Sequence, residues 1–482
     1  MRLQNVHLRV NDAETNQPTP CRIRITDPSG QEYAPLGRPL EFSCNRGEDV
    51  GGHCRIGGER WFSIDGTCEI ALPPGELRVQ VRKGINYSPL DQVVHQPQGK
   101  MAIRLVIRRQ NVTSFKHQLL LDSRSHFSAP HATLLDAAAE GLSIAHLLAE
   151  PTRSLSLDGN SYSSVPNLLA FSGQKPCLQS EQTQVIVNTH HRHPVLGSLG
   201  LLHCHRVVHP LQFGGAELSD DWSLRDWAGQ CHRKGGLVVW TEPFAPKKPF
   251  AGEALALAIL GEIDAYELSP DFLQHSLRGW YFLLDAGIDL PLVGGSGRYA
   301  NDRPISALQT VSHWGGPDCD NWFEPIKVGS GKVTNGPVPN FSPGDQIGAT
   351  FSALSIRPFS RVELLVNGIV VSDADGVPTV DGDETFAACG EYKYPINGWV
   401  AARIVDAKPT HLHTAPMFGH TSALRIGELV PKSEAVQALL GHLDRGIDWV
   451  ENHGRFEQLK FKKQLLDTFA EAKSKLLSGK RS

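Results

Sequence analysis

Apolar and polar positions alternate with a period of two through much of the first hundred residues. Val6-His7-Leu8-Arg9-Val10, Cys21-Arg22-Ile23-Arg24-Ile25 and Glu76-Leu77-Arg78-Val79-Gln80-Val81 each put one set of side chains on one face, as half-buried strands do. Ala71-Leu72-Pro73-Pro74-Gly75-Glu76-Leu77 sets a Pro-Gly turn between two such runs, so residues 1–110 are expected to form an N-terminal β-sandwich. From 111 to 345 the pattern changes. Leu119-Leu120-Leu121, Val185-Ile186-Val187 and Leu237-Val238-Val239-Trp240 are short apolar runs suited to buried strands. Leu134, Leu135, Ala138 and Leu142 share a helical face closed by Gly141, and Leu224 to Lys234 forms a second helix before Gly235-Gly236. Alternating strand and helix predicts a central α/β barrel, with chemistry on the loops that follow the strands.

Alternation returns over 346–426, where Arg361-Val362-Glu363-Leu364-Leu365-Val366 runs into an Asn367-Gly368 turn; this predicts a second β-rich, sandwich-like domain. Over 427–482 the spacing of Ala435, Leu439, Leu443, Ile447 and Val450 predicts a C-terminal helical segment. Ser433 is the expected N-cap, Trp449 and Phe456 the packing anchors, and the basic tail Lys473 to Arg481 the end of an amphipathic helix. The fold class is thus multidomain α and β.

Composition adds mainly exclusions. A formal charge of −4 over 482 residues gives no basic footprint for nucleic acid. The chain lacks an apolar run of membrane-spanning length. Nine Cys without paired spacing argue against a disulfide scaffold or zinc ribbon, and leave Cys204 and Cys231 as buried small hydrophobes. An N-terminus that alternates from the start does not resemble a secretory leader, so a cytoplasmic location is the default expectation.

Several stretches, in order, carry a family resemblance. Leu121-Asp122-Ser123-Arg124-Ser125-His126 occupies the place of an Asp-Leu-His-Val-His strand end, and Leu196-Gly197-Ser198-Leu199 that of a Leu-Gly-His-Leu loop. Gly235-Gly236-Leu237-Val238-Val239-Trp240-Thr241-Glu242-Pro243 is similar to Gly-Gly-Leu-Val-x-x-Ala-His-Pro, and Gly295-Ser296-Gly297 to Gly-Ser-Asp. Thr334-Asn335-Gly336-Pro337 and Phe418-Gly419-His420-Thr421-Ser422 follow. Together these resemble the CehA/McbA-type branch of the polymerase-and-histidinol-phosphatase (PHP) metallohydrolases, which implies a PHP-like barrel over 111–345. The N-terminal segment resembles a transthyretin-like or carboxypeptidase-regulatory sandwich, a structural or interaction unit. The resemblance also implies a cluster of His and carboxylates holding divalent metals, whose bound water attacks an ester, amide, carbamate or phosphoester.

Most implied ligand positions carry other residues. Arg124 replaces the first His of the His-x-His pair, of which His126 remains; Ser198, Glu242 and Gly297 replace two His and an Asp; Ala149-Glu150 aligns with an Asp-His. A fixed guanidinium repels a metal, and the simplest reading is a lost metal site with no confident catalytic residue. The candidate pocket is Asp122, Arg124, His126, Glu150, His190, Ser198, Glu242, Gly297 and Arg298. His126, Glu242 and His190 are the candidate ligands should Zn, Mn or Fe bind. Alternatively Glu242 pairs with Arg124, His126 is structural, and Asp122 orients it. Arg298 is a counter-charge for an anion cradled by the Gly294–Gly297 amides. Pro194 points to a loop around His190-His191-Arg192-His193, and His203, His205 and His209 read as a solvated strand face.

Three functions follow. One is a degenerate hydrolase that binds a small-molecule, anionic or carbohydrate ligand or a partner at the old pocket. Another is an active hydrolase with a reduced metal site. The third is a structural or carbohydrate-contacting protein that works through its sandwiches.

Overall fold

A computed structural model describes residues 3–36, 52–110, 118–155, 161–215, 218–313, 322–344, 348–379, 385–405 and 417–478. The expected breaks after 110 and at 345, and the end of the basic tail at Lys480 and Arg481, fall outside them. The chain is a multidomain assembly of sheets and helices. No helix among the described residues is long and apolar enough to cross a membrane.

The N-terminal alternation produces two facing sheets. Gln4–Asp12 pairs with Thr67–Leu72 on one side and Ala102–Ile107 on the other. The second sheet contains Cys21–Thr26, Glu59–Ile64 and Gly75–Arg82. Val6, Leu8 and Val10 from the first sheet and Ile23, Ile25 and Val79 from the second share one buried cluster, as period-two patterning requires of a sandwich.

The central unit is built on a row of seven strands: β1 (Gln118–Ser125), β2 (Ile144–Ala149), β3 (Gln184–His193), β4 (Gly197–Leu202), β5 (Leu237–Thr241), β6 (Ala265–Leu268) and β7 (Leu292–Gly294). They lie side by side in that order. Every neighbouring pair is parallel except those made by β4, which runs antiparallel to β3 and β5. Helices Pro130–Ala139, Leu224–Arg233, Glu253–Leu260 and Leu273–Asp285 fill the crossovers. The sheet curls until its ends meet: just past β7, Gly297 N donates to Arg124 O (2.9 Å), and His126 N donates to Arg298 O (2.8 Å).

Several expectations need correcting. Leu196–Leu202 is not a loop, because Gly197 at φ +130° allows a tight turn after His193 and the chain returns as β4. The same hairpin keeps His190–His193 in an extended strand rather than a loop. In the first crossover helix the buried face is Ala132, Thr133, Asp136 and Ala137, with Leu134, Leu135 and Ala138 only partly covered. Asp136 rotates the helix this way, since its carboxylate meets Arg298 and Ser63 (2.5 Å each) in the interior. Gly141 does take the left-handed conformation after that helix, at φ +69°.

Beyond β1 the same sheet continues through Gln309–His313, Lys332–Thr334 and Gly419–Thr421 into Gly398–Val405 and Arg361–Val366. A four-stranded sheet containing Val338–Pro343 and Ala349–Ser355 packs against these last strands. Strands from before and after 345 thus share one sheet, with Lys332–Thr334 bonded to Gly419–Thr421. Asn367 and Gly368 form the tight turn read from the sequence, at φ +50° and +80°. The C-terminal helices Ser433–Asn452 and Leu459–Ser478 share a buried cluster with Trp280 and Leu283. Trp449 and Phe456 pack on that cluster as expected. Ser433 lies one residue inside its helix; Lys432 holds the cap position and makes no side-chain capping bond.

Candidate functional site

Parallel strands present their C-terminal ends on one rim, and charged side chains collect there. The end of β1 supplies Arg124 and His126, β2 supplies Glu150, and β3 supplies His190 and Arg192. Glu242 follows β5, Glu267 lies within β6, and Gly297 and Tyr299 follow β7. Strand alternation sorts the histidine run. His190 and Arg192 face the rim cluster, whereas His191 packs against Trp227 and His193 bonds Asp220 (2.9 Å) on the other side.

Arg124 dominates the rim. Its fully buried guanidinium forks onto Glu267 through three contacts of 2.7, 2.9 and 3.0 Å. It also reaches Tyr299 Oη at 3.3 Å and Glu242 Oε1 at 3.4 Å. Burial pushes the Glu267 carboxyl up and Arg124 pulls it back; the forked geometry is that of an ionised pair. Arg192 donates to Glu242 (3.0 Å) and to Tyr299 Oη (2.7 Å). Burial alone would raise the Glu242 carboxyl, but Arg124 and Arg192 outweigh it and hold the group below its ordinary value. Lys248 also faces Glu242, and burial lowers its ammonium to about 8.

Gly297 makes room for this arrangement. Its φ is +58°, and a Cβ there would sit 3.0 Å from Arg124 Nη2. Arg124 at one implied ligand position thus occupies space that a side chain at another would need.

The imidazoles form a second group beside the arginines. His190 Nδ1 lies 2.8 Å from Glu150 Oε2, and its Nε2 lies 2.9 Å from Thr241 Oγ1. His126 Nδ1 lies 3.2 Å from Leu148 O and 3.4 Å from Glu150 Oε2. The His126 ring stacks on Tyr299 with centroids 4.2 Å apart. Burial holds both imidazoles well below their ordinary pKa, and Arg124 and Arg192 add to the effect. Both rings are therefore neutral at pH 7.

Among the described residues, the ligand-type atoms of His126, Glu150 and His190 converge within 4.8 Å of one another. The donors nonetheless fit a hydrolytic metal poorly. Among the described residues His126 Nε2 is buried without a partner, but both ring nitrogens of His190 are engaged and Glu150 also accepts from Tyr299 Oη (3.2 Å). Two guanidiniums stand in the same cluster, and a divalent ion would have to displace them.

Of the expected pocket residues, Arg124, His126, Glu150, His190, Glu242 and Gly297 do meet at the rim. Three do not act as expected. Asp122 accepts backbone amides of Arg124, Ser296 and Ser306 (2.9 to 3.1 Å) and so fixes the loop rather than orienting His126. Ser198 Oγ is tied to Thr241 O at 3.0 Å. Arg298 points away: its backbone bridges to Ser125 in extended fashion, so its side chain faces Asp136 (2.5 Å) and Asn301 (2.8 Å) and cannot serve as an anion's counter-charge at the rim. Glu242, expected among the metal donors, is held by the two arginines, and Glu150 joins the imidazoles in its place.

Sequence reading passed over Glu267, Tyr299 and Lys248. A glutamate inside the apolar run Ala265-Tyr266-Glu267-Leu268 was the available signal for the first. His203, His205 and His209 lie beyond the end of β4, not on a strand face; His203 rests on Phe323 (4.5 Å). Cys204 and Cys231 are buried, as expected, with sulfurs 3.3 Å apart.

Compared with known protein families, curated proteins and solved structures, the chain gives no significant match. The PHP resemblance rests on the ordered stretches of sequence alone.

Proposed function

We propose that this chain is a catalytically silent, PHP/CehA-like protein that uses the rim of its curled sheet to bind a small anionic or carbohydrate ligand. The observation that carries the reading is Arg124: a permanently charged, buried guanidinium clamped by Glu267 where the resemblance implies a metal ligand. A site built to ionise water needs donors with free lone pairs around an ion. This rim spends its donors on arginines and on each other. What remains open to a ligand is Arg192, whose side chain is 39% exposed beside Tyr299 and Glu242. A guanidinium, a phenol and a carboxylate at one edge suit the carboxylate and hydroxyls of a sugar acid.

The test has two arms. Supplied with Mn²⁺, Zn²⁺ or Fe²⁺, the full chain should leave p-nitrophenyl phosphate and acetate at the background rate; metal-dependent turnover that disappears in His126→Ala would overturn the silent reading. Glucuronate should bind saturably without metal and at least tenfold more weakly to Arg192→Gln. Equal binding by both proteins, or none by either, removes the rim as the binding site.

The reduced-metal reading keeps one specific support, the unpartnered Nε2 of His126 beside Glu150 and His190. The same turnover experiment decides it.

A further inference from the structure

A second concavity lies apart from the rim, and none of the rim residues lines it. It forms where the N-terminal sandwich, the 302–308 loop, the helix Leu273–Asp285 and the C-terminal β strands meet, and encloses about 700 Å³. That volume falls within the range of small-molecule sites.

Its wall carries an excess of positive charge. Arg55, Arg82, Arg303, Arg357 and Arg403 line it, against two carboxylates, Glu140 and Asp302. Both carboxylates are already engaged. Glu140 pairs with Arg22 and accepts from Ser306 Oγ (2.9 Å), and Asp302 pairs with Arg303 (3.0 Å). Arg403 is held by Glu363 (2.8 Å) outside the cavity wall. Arg82 lies with its guanidinium 4.4 Å from the centre of the Trp61 ring.

Arg357 differs from these. It is half-buried, and among the described residues its guanidinium makes no hydrogen bond or ion pair. Burial lowers it to about 10, and Arg82 opposes its charge from nearby. A guanidinium so placed gains most from an anion. Leu277, Leu308, Met417 and Phe418 give the wall an apolar stretch, beside the polar side chains of Gln274, Ser306 and Asn335.

We propose that this cavity binds an amphipathic organic anion, its phosphate or carboxylate head on Arg357 and its apolar body along Leu277, Leu308, Met417 and Phe418. The helix, the 302–308 loop and the C-terminal β region would then be bridged by the ligand. This site stands independently of the reading given to the rim.

Calorimetric titration of the full chain with hexyl phosphate and with hexanoate tests it, and whichever binds tighter identifies the head group. Saturable binding is expected, with 1-hexanol at least tenfold weaker. Arg357→Gln should weaken the preferred anion at least tenfold, while Arg357→Lys keeps part of the affinity. Arg192→Gln, at the rim, should bind it as the wild type does, which separates failure here from failure there. Should Arg357→Gln not fold, the wild-type chain suffices: the bound anion should protect Arg357 from phenylglyoxal, read by mass spectrometry of its peptide. Absence of saturable binding by either anion, affinity unchanged in a folded Arg357→Gln, equal binding of 1-hexanol, or unprotected Arg357 would each overturn the proposal.

Discussion

A guanidinium and a carboxylate buried together are stable only while both remain, because either one alone is a charge without water or partner. Arg124 and Glu267 are in this position, with side chains 1% and 0% exposed. Arg124→Met should therefore lower stability by about 3–5 kcal/mol, and adding Glu267→Leu should recover most of that loss. Urea denaturation of the single and double variants reads this directly; a single variant as stable as the wild type would show that the pair holds nothing. Gly297→Ala should cost about 1–2 kcal/mol for its left-handed backbone, and more if Arg124 Nη2, 3.0 Å from the new Cβ, cannot yield. At this scale the sequence was only partly legible. Arg124, His126, Glu150 and Glu242 stood out as charged or ligating types at strand ends, and His190 as one of a histidine cluster read as a loop. Glu267 did not: its one local signal was a glutamate inside an apolar run, and its partner lies 143 residues away. Arg298 misled for the opposite reason, since proximity in sequence to Gly297 says nothing of which side an extended residue faces.

Between elements, Asp136 ties the first crossover helix to two other parts of the chain. It meets Ser63 of the sandwich and Arg298 beyond β7, both at 2.5 Å, with Arg22 of the sandwich at 3.7 Å. Asp136→Ala would strand Arg298, while Arg22 keeps its pair with Glu140, so a loss of about 3–5 kcal/mol is expected. Scanning calorimetry should show the sandwich melting apart from the central sheet; a single unshifted transition would mean that this contact is incidental. Strands with unbroken apolar runs, such as Leu119-Leu120-Leu121 and Leu237-Val238-Val239-Trp240, were readable because burial on both faces leaves no other composition open to them. β4 and the end of β3 were not, because Gly197 and Pro194 signal a turn equally for a loop and for a hairpin.

For the whole molecule, buried neutral histidines set the response to acid. His146 and His191 are lowered by burial to about 3, His420 to about 4, and His126 and His190 also lie well below the ordinary value. Below about pH 6.5 the unfolded chain takes up protons that these folded groups refuse, so stability falls as pH falls, by about 1.4 kcal/mol per unit for each such group. Glu253, raised by burial to about 8, and Asp122 and Glu267, also raised, oppose this from pH ~4.5 upward, but the imidazoles outnumber them. Urea midpoints at pH 7.5, 6 and 5 should decline in that order, and a flat profile would contradict the assignment of neutral rings. The sandwich, the alternating centre and the terminal helices were legible at this scale from periodicity. The continuation of one sheet from the centre into the late strands was not, because strand pairing across a hundred residues leaves no period to read.

Whether Arg124 and its carboxylates take the place of a catalytic metal is read from metal stoichiometry. The full-length chain and His126→Ala would be incubated with Zn²⁺, Mn²⁺ and Fe²⁺, freed of loose ions by gel filtration, and measured by plasma mass spectrometry. Equal, far substoichiometric metal is expected in both proteins. Stoichiometric metal in the wild type that is lost in His126→Ala would contradict it.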